Sequence, residues 1–263
     1  MILIVCLGFL GLTSLAQAAA VRPGFDSIDF YGNDDASVGP VSIGFTLNFF
    51  GVNFTELWVN NNGNVTLDGS MWEYTPFVIL SNTRKIIAPF FADVDTRVGN
   101  TTKYGSGTVD GHNAFGVSWR EVGYFNKHID KLNTFQLILI ERSDIAAGDF
   151  DIEFNYDQIQ WETGDVSGGS GGLGGYSARA GWSNGVDTAY EIPGAGINGA
   201  YLDGGPNSLV GHMLNSSVLG RYVFEVRNGY IPPPPPPVVP VPPAFLLLGS
   251  GLLGMAVWKK IKR

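Results

Sequence analysis

The side chains with most capacity for chemistry are Asp93 and Asp95, two carboxylates separated by one valine. They follow the apolar run Ile86–Ala92, so a strand through that run would present both on one face where it ends. Two hard oxygen ligands placed this way can help bind Ca2+, with backbone carbonyls completing the shell. No EF-hand spacing follows, so such a site would be irregular. The competing role is structural, with the pair capping the turn toward Arg97 or keeping a strand end solvated. Apart from this candidate Ca2+ pair, no cofactor is expected.

Other motifs match on paper and fail on context. Gly168-Gly169-Ser170-Gly171-Gly172 satisfies G-x-S-x-G, but a nucleophile elbow needs a strand before the serine and a helix after it. Gly194–Gly199 satisfies G-x-G-x-x-G without a βαβ unit, and no acidic residue follows about 20 positions on. His112, His128 and His212 are far apart and share no ligand spacing. Asp149, Asp151 and Glu153 alternate with apolar residues and read as the solvated face of a sheet. An acid–base enzyme acting on carbohydrate through Asp93 or Asp95 is the rival chemistry. It would require two carboxylates of separated pKa in a cleft.

The elements that must position these groups are strands. Ile43, Phe45, Leu47 and Phe49 alternate with polar or small residues, the period of a half-buried strand. Leu57-Trp58-Val59 and Val65-Thr66-Leu67 flank the Asn60–Gly63 turn, which reads as a hairpin because Asn and Gly tolerate positive φ. Phe150, Ile152, Phe154 and Tyr156 alternate with acidic and amide residues. Phe135–Ile140 is apolar on both faces apart from Gln136, as in a central strand. No convincing helical period interrupts them. The segment Gly164–Gly175 reads as a slack excursion between strands.

Composition agrees. The 263 residues include 36 glycines, close to twice the usual ~7%, with 13% aromatic and only 15% charged residues. That mixture excludes coiled coil and ordinary disorder, and the lack of a Gly-X-Y period excludes collagen. The expected fold is all-β, a single β-sandwich-like domain of mostly antiparallel strands.

Both ends stand apart from that domain. Met1–Leu15 is an apolar run followed by Ala16-Gln17-Ala18, the pattern of a signal peptide cut by signal peptidase after Ala18. The one cysteine, Cys6, lies inside it, so the processed chain would have no disulfide. At the other end a Pro-rich stretch leads to Ala244–Trp258 and the cationic end Lys259, Lys260, Lys262 and Arg263. A 15-residue helix spans roughly 22 Å, short of a ~30 Å hydrocarbon core. The order of Pro240-Val241-Pro242, the Leu/Gly-rich stretch LLLGSGLLG and the basic end resembles the PEP-CTERM sorting signal of Gram-negative bacteria. Val241 stands where that motif usually has Glu. The resemblance implies transient membrane insertion through a short C-terminal hydrophobic helix, then recognition by an exosortase. Four of the 16 basic residues sit in this end, leaving 12 against 24 acidic ones, a charge of −12. An acidic domain disfavours nucleic acid and anionic lipid as partners.

The strings GFTLNFFGVNFTELWVNNNGNVTLDG (Gly44–Gly69) and KIIAPFFADVDTR (Lys85–Arg97) resemble the nidogen-like extracellular domain. So do FGVSWREVGYF, FQLILIER, FDIEFNYDQIQWETGD and ARAGWSNG further along. The resemblance implies a non-catalytic protein of the cell surface or extracellular matrix, associated with cell–matrix adhesion, and carries no catalytic set. The expected organisation is a signal peptide (1–18), a lead-in (19–40), the nidogen-like β domain (41–229), a Pro-rich linker (230–239) and the sorting tail (240–263). The expected partners are signal peptidase and exosortase during processing, then extracellular polysaccharide or surface and matrix proteins, with no nucleic acid. The expected location is outside the inner membrane, at the cell surface or in a biofilm matrix. A glycan-binding module or carbohydrate-active enzyme is the alternative.

Overall fold

The computed structural model describes residues 19–232. The expected signal peptide with Ala16 and Ala18 lies outside the described residues, as does the expected tail with Pro240, Val241, Pro242, Lys259, Lys260, Lys262 and Arg263. In chain order the strands are β1 (Ile28–Phe30), β2 (Ser37–Phe49), β3 (Val52–Asn60), β4 (Asn64–Thr66), β5 (Lys85–Phe91), β6 (Val94–Asp95), β7 (Thr102–Val109), β8 (His112–Tyr124), β9 (His128–Glu141), β10 (Phe150–Gln158), β11 (Gly169–Ser170), β12 (Leu173–Gly174), β13 (Arg179–Asn184), β14 (Ala189–Glu191) and β15 (Arg221–Val226). The described residues contain no α-helix, and none of their helical turns is long and apolar enough to cross a membrane.

The strands form two antiparallel sheets and one short hairpin. The first sheet runs β1-β7-β8-β9-β10-β15, with β6 also paired to β8, and the second runs β14-β13-β5-β4-β3-β2. They face each other as a β-sandwich. Ile43, Phe45, Leu47 and Phe49 of β2 point into the shared core, as do Phe150, Ile152, Phe154 and Tyr156 of β10. Aromatic pairs cross the interface: Phe49 meets Phe150 at 6.4 Å, Phe90 meets Phe135 at 5.1 Å and Trp182 meets Phe224 at 6.5 Å between ring centroids. The Tyr156 hydroxyl, buried at the centre, donates to the Pro89 carbonyl at 2.6 Å and fastens β10 to β5. A buried phenol without such a partner would be left with an uncompensated polar group.

Two expectations change on the outer face of the first sheet. The segment 19–40, expected as a lead-in, is part of the domain. Ala20, Val21, Phe25 and Phe30 are buried, and Phe25 clusters with Val109, Ala114, Ile138 and Ile140. Its ring lies over Gly116, where an added Cβ would come within 2.6 Å of it. Strand glycines commonly mark such close approach of another chain segment. This covering explains why β9 is buried on both faces.

Nor is the acidic face of β10 solvated. Asp149, Asp151 and Glu153 are all buried. Arg22, on the covering segment, grips Glu153 through two bonds of 2.7 and 3.0 Å, while Arg142 and Arg227 reach Asp151 at 3.0 and 2.6 Å. Gln136 accepts from the Arg22 N–H and donates to its carbonyl, so the covering segment is held to the face of the sheet. Alternation in the sequence identified the face correctly, but arginines distant in the chain remove it from water.

If the covering segment is integral, Phe25→Ala destabilises the domain by about 3 kcal/mol or more, as expected of a buried aromatic truncation. Urea unfolding followed by tryptophan fluorescence measures this. A change below ~0.5 kcal/mol would return the segment to the status of a dispensable lead-in.

Candidate functional site

The site begins with the β3–β4 hairpin, whose turn Asn60–Asn64 is buried throughout. Gly63 adopts φ 73°, and a Cβ there would lie 1.8 Å from the Phe90 carbonyl oxygen, so only glycine lets the turn sit against β5. The asparagines replace the water that a surface turn would use. Asn60 donates to Asn64 Oδ1 at 2.8 Å and to Thr66 Oγ1 at 3.0 Å. Asn61 donates to the carbonyls of Asp34 and Val94, each at 2.5 Å, and its own carbonyl accepts from the Trp119 indole at 2.9 Å. Asn62 accepts from the Val94 N–H at 3.0 Å and donates to Asp35 Oδ1 at 2.9 Å. The turn thus fixes the backbone of Val94, between Asp93 and Asp95, and holds the Asp34-Asp35 pair through the Asp34 carbonyl and the Asp35 side chain.

The structure separates the two predicted carboxylates. Asp95 is fully buried and takes the role of turn cap: its Oδ1 accepts from the Arg97 N–H and Nε, and its Oδ2 from Arg97 Nη2 and the Lys127 N–H. Burial opposes its ionisation, but these four donors outweigh burial and hold the Asp95 carboxyl below the usual carboxylate range. Arg97 also pairs with Asp34 at 3.1 Å and lies 5.5 Å from the centre of the Phe125 ring.

Asp93 belongs to a different group. It comes together with Asp34 and Asp35, one oxygen of each lying within 4.8 Å of the others. It is only 1% exposed, and among the described residues its Oδ1 has no hydrogen-bond partner. Oδ2 lies 3.5 Å from the Ser167 hydroxyl. Burial, then the neighbouring charges of Asp35, Asp34 and Asp95, push the Asp93 carboxyl up to about 8. Burial and the same kind of repulsion raise Asp34 to about 6. Three crowded oxygens with little compensating positive charge can hold a proton or a divalent cation. Of this trio the sequence pointed to Asp93 alone. Asp34 and Asp35 stand about 60 positions upstream, in a stretch expected to lie outside the domain, and their adjacency within Asn33-Asp34-Asp35 was the one available signal.

The glycine-rich segment Gly164–Gly175, expected as slack, is an ordered cover over this group. It contains the β11–β12 hairpin, and the N–H groups of Glu162 and Thr163 donate to the Gly172 carbonyl at 2.8 and 3.1 Å. Gly164 packs on Asp93 so closely that a Cβ would meet Oδ2 at 2.3 Å. Ser170 lies exposed in a hairpin with no helix behind it, so the G-x-S-x-G string is not a nucleophile elbow. The Gly194–Gly199 string is likewise a loop. The histidines go separate ways: His112 lies 3.6 Å from Asp144, His128 pairs with Asp165 at 2.9 Å, and His212 meets the Ser208 carbonyl at 2.8 Å.

The raised Asp93 pKa carries a sign that can be tested. In EDTA the carboxyl is protonated in both states below about pH 4, and the associated stability is fully present there. It is lost as pH rises toward about 8, because the unfolded chain ionises first. Asp93→Asn should flatten this loss and melt several degrees above the wild type at pH 8, at about 2–4 °C per kcal/mol. Thermal melts at pH 4.5, 6 and 8 check it; parallel pH profiles for the two proteins would refute the assignment.

The fold and the carboxylate group now stand beside known proteins. A family model described as the nidogen-like domain matches residues 55–110 and 102–228. Alpha-tectorin of Homo sapiens is 29% identical over 227 residues, covering 76% of this chain and 10% of the relative. Alpha-tectorin of Gallus gallus is 28% identical over the same length. Nidogen of Drosophila melanogaster is 26% identical over 208 residues, 68% of this chain and 14% of the relative. The chain therefore spans a small fraction of the length of the curated relatives it matches. No solved structure matches it. The matched residues run from within β3 through β15 and include the asparagine turn, Asp93 and the Phe90–Phe135 and Trp182–Phe224 pairs, so the chain belongs to the nidogen-like domain family.

Proposed function

We propose that this is an exported, non-catalytic protein of the cell surface or extracellular matrix, acting in adhesion or in association with an exopolysaccharide matrix. The observation that carries the reading is the family match, which accounts for most of the described residues and aligns with proteins named alpha-tectorin and nidogen. The apolar start with Ala16 and Ala18 supports export. The Pro240-Val241-Pro242 motif, the hydrophobic stretch and the Lys259–Arg263 end support exosortase-type sorting in a Gram-negative bacterium, with transient membrane insertion before release to the surface. Signal peptidase and exosortase are then its processing partners, and polysaccharide or surface proteins its later ones.

Burial weighs against the carbohydrate-active enzyme. Both Asp93 and Asp95 are buried, and Asp95 is committed to Arg97 and the Lys127 N–H, whereas general acid–base work needs a cleft open to substrate. The glycan-binding alternative has an observation in its favour. Trp72, Tyr74 and Tyr176 expose aromatic surface. The loop that carries Trp72 is anchored by Asn62 at the Glu73 carbonyl, and Thr75 reaches Ser167 at 3.0 Å.

Localisation of the full chain with and without residues 240–263 tests the main reading. Loss of surface or matrix retention on deletion is expected, and an intact C-terminus on the mature protein by mass spectrometry would sink the sorting step. On a glycan array Trp72→Ala should weaken binding roughly two- to tenfold if the aromatic surface stacks on sugars. Unchanged binding would favour a protein ligand.

A further inference from the structure

We infer that Asp34, Asp35 and Asp93 form a calcium site that staples the start of the domain to the segment after β5, beneath the glycine-rich cover. The inference stands on geometry and does not depend on the adhesion reading. Oxygens bound to one calcium ion at about 2.4 Å can lie no more than about 4.8 Å apart, and one carboxylate oxygen from each residue meets that bound without any movement of the chain.

A second observation separates this group from an ordinary acidic cluster. Asp93 is 1% exposed, yet among the described residues its Oδ1 receives no hydrogen bond, and neither does the buried Oδ1 of Asp34. Buried acceptors are normally satisfied, so two orphaned carboxylate oxygens in one group imply a ligand. Arg97 does not fill that role. Its guanidinium is engaged by Asp95 and by the other oxygen of Asp34.

The surroundings suit calcium. The Ser167 hydroxyl lies 3.5 Å from Asp93 Oδ2, and Thr75 Oγ1 lies 3.0 Å from that hydroxyl, so neutral oxygens adjoin the carboxylates on the covered side. Asp34 and Asp35 are half-buried and leave an approach for the ion from solvent. Calcium accepts six to eight oxygens in adaptable geometry, whereas magnesium demands near-octahedral placement. An ion here would neutralise the repulsion among the three carboxylates. It would also join the turn at Asn33–Asp35 to the segment after β5, on which Gly164 and Ser167 of the cover rest.

The test uses the full chain dialysed against EDTA. Calorimetric titration with CaCl2 should show one ion per chain with Kd between about 10⁻⁴ and 10⁻³ M, the range of extracellular calcium modules. Excess calcium should raise the melting temperature by about 5 °C or more relative to EDTA. Asp93→Asn and Asp35→Asn should each abolish the calcium-dependent rise, while Glu56→Gln, at an exposed position, keeps it. Should Asp93→Asn fail to fold, Asp35→Asn at the half-buried rim decides alone. The site is refuted if the wild type shows no rise, if the rise survives in the folded variants, or if magnesium at the same concentration produces an equal one.

Discussion

A buried turn made almost entirely of asparagine holds this protein together. Turns ordinarily lie at the surface because their backbone groups need water. Here Asn60–Asn64 is driven between the two sheets, and amide side chains supply the missing hydrogen bonds. The arrangement works because an amide both donates and accepts, so one asparagine can close two backbone gaps at once. Trp119 adds a clamp from the opposite sheet, its indole donating to the Asn61 carbonyl. Substituting any member would leave several buried groups unpaired. The backbone around Asp34, Asp35 and Asp93 is therefore fixed before those side chains make any contact of their own.

A second polar layer does comparable work on the far side of the first sheet. Glu153, Asn155, Gln136 and Ser118 form a buried network that the Arg22 segment and Arg221 complete. Networks of this kind stabilise only when every member is satisfied, and they then specify a single register. The chain start at Ala20–Arg22 consequently acts as a structural element of the sheet. Few charged residues are present, and the described arginines spend themselves largely on buried carboxylates.

These two layers explain why the carboxylates behave so differently. Asp95 and Glu153 each meet an arginine and are tied to it. Asp93 faces other carboxylates and a glycine cover, and among the described residues only the Ser167 hydroxyl reaches its carboxylate with a hydrogen bond. The glycine-rich cover can approach this closely because it presents backbone, with Gly164 placed directly on Asp93.

The sequence by itself determined the fold class, the alternating strands of β2 and β10, the central character of β9 and the hairpin at the Asn60–Gly63 turn. Period-two alternation and turn chemistry are local properties, readable wherever they occur. It also identified Asp93 and Asp95 as the carboxylates worth following. Tertiary structure alone decided that Asp95 serves Arg97 while Asp93 joins Asp34 and Asp35, that Phe25 and Arg22 belong to the domain, and that the acidic face of β10 is covered. Each of those outcomes depends on residues dozens of positions apart becoming neighbours. Alternation tells which face of a strand a side chain occupies, but what covers that face is fixed only when distant segments pack against it.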